Sequence, residues 1–147
     1  IIKHIPGHGA SNIDSHHFLP KTNLSRENLT KNDFFPFADS KSFFAMTAHV
    51  KYNNFDSQNP ATHSKIIIDE IIRKKMKFRG VIMTDDISMK ALKADLKTNV
   101  IKSLDAGCNL ILHCNGDYSE AKRISKIVPY LDTFLLLKTK EFYKFLN

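Results

Sequence analysis

Two short segments concentrate the side chains able to do chemistry. One is Lys3-His4-Ile5-Pro6-Gly7-His8-Gly9, running on to Asp14-Ser15-His16. The other is Gly80-Val81-Ile82-Met83-Thr84-Asp85-Asp86-Ile87-Ser88-Met89. In each, an apolar stretch breaks off into charged or titratable residues, the look of a barrel strand that delivers chemistry at its C-terminal end. A carboxylate placed like Asp85 can act as a nucleophile or can cap a following helix, and the residues alone leave both uses open. Asp86 points the other way in an extended chain and suits the positive end of a following helix. Asp14 and His16 form a second candidate group: a histidine titrates near neutral pH, and a carboxylate partner fixes its tautomer and supports its charged form. His17 competes with His16, and an exposed loop histidine is usually only solvated. His4 and His8 stand at i and i+4, a zinc-gripping spacing on a helix. Pro6 and Gly7 between them forbid that helix, and there is no H-E-x-x-H, so no metal is expected.

These residues need elements to hold them. Strands are expected at Ile1–Ile5, Phe43–Ala48, Val81–Thr84 and Asn109–His113, each short and apolar. Residues 7–20 read as a long, His-rich loop, and loops of that size are usually functional. Gly7 and Gly9 would supply positive φ there. Ser25 is placed to cap a short helix. Ser64 is placed to cap another, in which Ile67, Ile68, Ile71, Ile72 and Met76 recur at helical spacing. A long helix is expected from Ser88 to Leu104, closed by Gly107, with Ser88 and Met89 serving capping and core. From Ser119 onward the chain reads as helical, broken near Pro129. Short apolar strands alternating with helices mean a parallel sheet with covered faces. The fold class is α/β, four strands of a (β/α)8 barrel, forming one partial domain over residues 1–147.

The 147 residues suffice for one domain and a core, but a complete (β/α)8 barrel takes about 250 residues. Ile1 already stands inside a strand, which points to residues preceding it. The formal net charge is +7. Its lysines, such as Lys65, Lys74, Lys90, Lys97 and Lys122, are scattered over expected helices without an Arg-rich run or aromatic platform. That is a solvated face, so no nucleic-acid partner is expected. There is no apolar run of 18 residues, so no membrane span is expected. Cys108 and Cys114 flank one strand and form no CxxC pair, which fits a reducing compartment, the cytoplasm.

Together the two segments resemble the bacterial β-N-acetylglucosaminidases of glycoside hydrolase family 3. The matching patterns read K-H-F-P-G-H-G, then D-S-H, then G-V-[IV]-x-[ST]-D-D-[LI]-S-M. The resemblance runs from Lys3 to about Asn115 and corresponds to strands five to eight of the family's barrel. It implies a cofactor-free, retaining exo-hydrolase of small peptidoglycan-derived saccharides. Asp85 would be the nucleophile, His16 the acid/base and Asp14 its orienter. Lys3 and His4 would bind sugar hydroxyls, with His49 and Asp86 behind the site and His8 as loop scaffolding. The four strands should pair in parallel in sequence order, with these residues at one end of the sheet. Strands one to four, with their further sugar contacts, are not in this sequence. Two other readings follow: a split or decaying gene product without activity, and a half-barrel that works only with a separate N-terminal half or by self-association.

Overall fold

The computed structural model describes residues 1–11 and 18–146. Its centre is a four-stranded sheet of β1 (Ile2–Ile5), β3 (Phe44–Thr47), β5 (Val81–Asp86) and β6 (Leu110–Leu112). The strands lie in the order β1-β3-β5-β6 and all pairs are parallel. This is the expected α/β sheet, with the four strands adjacent in sequence order. A second, two-strand parallel pair joins β2 (Lys21–Thr22) to β4 (Lys51–Tyr52). At two residues each, these strands are too short to carry a periodic signal in sequence.

One face of the sheet is closed by helices. The π-helix Ile67–Lys75 buries Ile67, Ile68, Ile71 and Ile72 against Ile5, Ala45 and Ile82. The Ser64 hydroxyl accepts the Ile67 N–H at 3.2 Å and so starts this segment, as expected. Ser25 likewise caps α1 (Arg26–Asn28). A smaller cluster gathers Ile87, Leu92, Val100 and Ile124 under α2 (Leu96–Ala106) and α3 (Tyr118–Ser125). Gly107 ends α2 in the left-handed region at φ 111°, where a Cβ would also meet Ile68. The last helix, α4 (Thr133–Leu146), sets Phe142 edge-on against Phe43 and Phe44 at the start of β3.

Three expectations are corrected. The helix expected from Ser88 starts at Leu96. Asp95 caps it by accepting the Thr98 N–H at 3.1 Å, and residues 87–95 form turns that bury Ile87, Met89, Ala91 and Leu92. Strand β5 runs two residues beyond Thr84, so Asp85 and Asp86 lie within it. Gly7 has φ 152°, but Gly9 lies outside the positive-φ region. What Gly9 supplies is closeness, since a Cβ there would sit 3.2 Å from the Asp33 carboxylate.

Candidate active site

Both motif-bearing strands carry one extra residue relative to a neighbour. Between β1 and β3, Lys3 faces Met46 and Ile5 faces Thr47, so two steps on β1 match one on β3. Between β5 and β6, Met83 faces Leu110 and Asp86 faces Leu112, three steps against two. Such bulges re-aim side chains at strand ends. The peptide bonds Lys3–His4 and Ile5–Pro6 are cis.

The consequence is a meeting across β3. Strands β1 and β5 are both neighbours of β3, so their axes lie about 10 Å apart. Yet His4 Nε2 comes within 3.5 Å of Asp85 Oδ2, and both side chains are partly exposed. The other oxygen, Asp85 Oδ1, accepts the Asp86 N–H at 2.8 Å. One oxygen is thus held by backbone while the other faces the open side of the sheet. Lys3 is exposed and level with Met46 and Met83, two residues below Asp85. Asp14, His16 and its neighbour His17 lie outside the described residues.

Asp86 serves the turn rather than a helix end. Ser88 donates to it through N–H and hydroxyl, and the Cys114 N–H donates to Oδ1 at 3.1 Å. Burial pulls the Asp86 carboxyl upward, but these hydrogen bonds outweigh it and hold the group below the usual carboxylate range. The expected helix N-terminus is not there; Asp86 joins the end of β5 to the loop after β6. Burial pushes the exposed-rim thiol Cys114 up, helped by Asp86 and Asp85. His113 and Glu120 pair at 2.9 Å at the same rim.

His49 is fully buried. Its Nε2 lies 3.0 Å from the Asp86 carbonyl oxygen and its Nδ1 2.7 Å from Thr62 Oγ1. Desolvation lowers its pKa, against the Asp86 carbonyl and the Asp85 charge. The loop end after β1 is held separately: Tyr52 donates its buried hydroxyl to the Gly7 carbonyl. A Cβ on Gly7 would meet the Asp33 backbone, so only glycine fits there. Tyr52, Asp33, Thr62 and Thr47 gave no signal in the sequence, because a buried Tyr or Thr looks like ordinary core. Among the described residues, no cluster of three or more His, Cys, Asp or Glu could hold a metal ion.

Residues 1–137 match the Glycosyl hydrolase family 3 N terminal domain. The chain belongs to glycoside hydrolase family 3. A β-hexosaminidase of Haemophilus influenzae is 41% identical to this family 3 chain over 121 residues, 77% of this chain and 34% of the relative. One from Idiomarina loihiensis is 37% identical over 117 residues, 77% of this chain and 35% of the relative. A family 3 β-N-acetylglucosaminidase from Paenibacillus superposes with TM-score 0.80 at 31% identity, covering 85% of this chain and 25% of that one. NagZ from Neisseria gonorrhoeae, solved with N-trifluoroacetyl-D-glucosamine, gives TM-score 0.78 at 31% identity, over 92% of this chain and 40% of that one. The chain spans about a third of the length of the curated relatives it matches.

Proposed function

We propose that this family 3 chain carries the nucleophile half of a retaining exo-β-N-acetylglucosaminidase acting on small peptidoglycan-derived saccharides. The observation that supports this most is the Asp85–His4 meeting, which joins the two motifs on the open side of the sheet. In the proposed reaction Asp85 Oδ2 attacks the anomeric carbon as the bond to the leaving oxygen breaks. His16, oriented by Asp14, gives that oxygen its proton. The resulting glycosyl–Asp85 ester is then attacked by water, whose proton returns to His16. Lys3 and His4 donate to the sugar hydroxyls, and no cofactor enters. Two free thiols, Cys108 and Cys114, support a reducing, cytoplasmic setting.

The relatives' length and the open sheet favour a second element of this reading. Among the described residues, strands β1 and β6 each have one unpaired edge. A groove of about 860 Å³ runs beside β6, lined by Leu110, Leu112, Val128 and Leu131, away from Asp85. We place the N-terminal half-barrel there, with self-association as the competing occupant, because unpaired edges invite pairing. The 147 residues alone should then turn over poorly, since about 1 Å of misplacement can cost a hundredfold in rate. The test is trapping with a fluorinated N-acetylglucosaminide after co-folding with the N-terminal half of the Haemophilus influenzae relative. A label on Asp85 is expected. A label on Asp86, or none from a form that hydrolyses aryl N-acetylglucosaminides, would overturn the assignment.

A further inference from the structure

The ladder between β3 and β5 pairs Phe44 with Val81, Ala45 with Ile82 and Met46 with Met83, and goes no further. The last three residues of β5, which include Asp85, therefore run on without β3. On the β6 side they are tied partly by side chains: Thr84 Oγ1 accepts the Leu112 N–H at 2.9 Å, and Asp86 Oδ1 accepts the Cys114 N–H. On the β3 side, His49 takes the place of the missing ladder through the Asp86 carbonyl.

Direction matters in that contact. A carbonyl only accepts, so His49 must carry its proton on Nε2. A neutral ring then presents Nδ1 as an acceptor, and Thr62 Oγ1, 2.7 Å away, must donate to it. The Thr62 hydroxyl has one hydrogen; the Ala48 carbonyl, 3.3 Å away, is its longer alternative acceptor, and with that hydrogen on Nδ1 the hydroxyl accepts from Thr47 Oγ1 at 2.9 Å. Thr47, Thr62 and His49 are all fully buried, so no water competes for these bonds. The charged and titratable groups around the ring are Asp85, Asp86 and His4, with His63 beyond them.

We propose that Thr62 is a positioning residue: with Thr47 behind it and His49 ahead of it, it forms a one-way hydrogen-bond chain that ends on the Asp86 carbonyl and fixes the end of β5, so that Asp85 presents Oδ2 beside His4. The proposal rests on the glycosidase reading for its catalytic consequence but not for its geometry. Without the Thr62 hydroxyl, a buried Nδ1 has no donor, and the ring is free to change tautomer or turn away from Asp86. The strand end would then keep only its β6 side.

The test separates these layers. In the 147-residue chain labelled with ¹⁵N-histidine, His49 should appear as a neutral ring protonated on Nε2. Thr62→Val, nearly isosteric, should abolish that signature and shift the Asp85 carboxyl carbon resonance, identified by its loss in Asp85→Asn. Thr62→Ser should restore both. A His49 protonated on Nδ1, or an Asp85 resonance unmoved by Thr62→Val, overturns the proposal. With the N-terminal half co-folded, Thr62→Val should lower kcat on the order of tenfold at unchanged KM, and Thr62→Ser should recover it. An unchanged kcat in a form that Asp85→Asn inactivates would overturn the positioning role and leave the glycosidase reading standing. If Asp85→Asn leaves turnover intact, the glycosidase reading falls, and the two resonances still decide the proposal.

Discussion

The two faces of the central sheet are finished to different degrees. On the helix-covered face, Ala45, Thr47, Ile82 and Thr84 are all fully buried, and Ile67, Ile68 and Ile72 pack over them. On the open face, Phe44, Met46, Met83, Leu110 and Leu112 are only half-buried. The covered face holds the fold and also the hydrogen-bond chain through Thr62 and His49. The open face bears His4 and Asp85. The difference teaches that position and chemistry are handled from opposite sides of the same strands: rigid packing beneath, reactive groups above.

The largest expected effect belongs to the open face. In the form co-folded with an N-terminal half, Asp85→Asn should cut turnover on the order of a thousandfold or more, while shifting unfolding free energy by less than about 1 kcal/mol. Steady-state assays beside urea unfolding measure both. A loss of several kcal/mol would make Asp85 part of the scaffold and erase the division.

Truncation on each face sharpens it further. Ile72→Ala removes a side chain with no exposure, and should cost about 2–5 kcal/mol in urea unfolding of the 147-residue chain. Met46→Ala, on the open face, should cost less than about 1.5 kcal/mol, because its transfer from water is incomplete. Equal losses would show that something already covers the open face in solution.

Acid should act on the covered side. Burial pushes His63 down from 6.5 to about 4, with His49 and Lys102 adding to it. Its folded form stays neutral where the unfolded chain takes up a proton, so stability falls as pH drops from about 6.5 to about 4. His49 acts in the same direction. Asp56, held below the usual carboxylate range by Ser64, Gln58 and Asn59 against the opposing pull of burial, loses its contribution at still lower pH. Urea midpoints measured across this range should show a shallower slope in His63→Leu. An unchanged slope would remove His63 from the account.

The smallest effect is one of reactivity. Cys108 is fully buried and pushed up to about 12 by burial, whereas Cys114 stands exposed at the rim. A thiol reagent should titrate one cysteine in the native chain and both after denaturation. Two fast thiols in the native chain would mean that the covered face opens easily.

Much of this was legible from residue types. Apolar runs separated by helical periodicity fixed four parallel strands in order, because a parallel sheet buried by helices needs them. The two motifs contain Asp85 and His4, but residue types alone left Asp85 open between nucleophile and helix cap, and only the family resemblance gave either residue a role. The start of α2 was not legible: Met89 and Leu92 stand three apart, as on one helix face, but the Ser88 bonds to Asp86 turn the chain, and Asp95 is the better cap. The bulges in β1 and β5, and with them the 3.5 Å approach of His4 to Asp85, exist only relative to a neighbouring strand. Thr62 could not be read for the same reason. Its hydroxyl matters only because folding brings it to His49, from a segment 13 residues away, in a place where water cannot supply the bond. Sequence determined which groups are available and which strands carry them. Tertiary structure decided which of them meet, because pairing register and burial are properties of neighbours brought together, not of residues in a row.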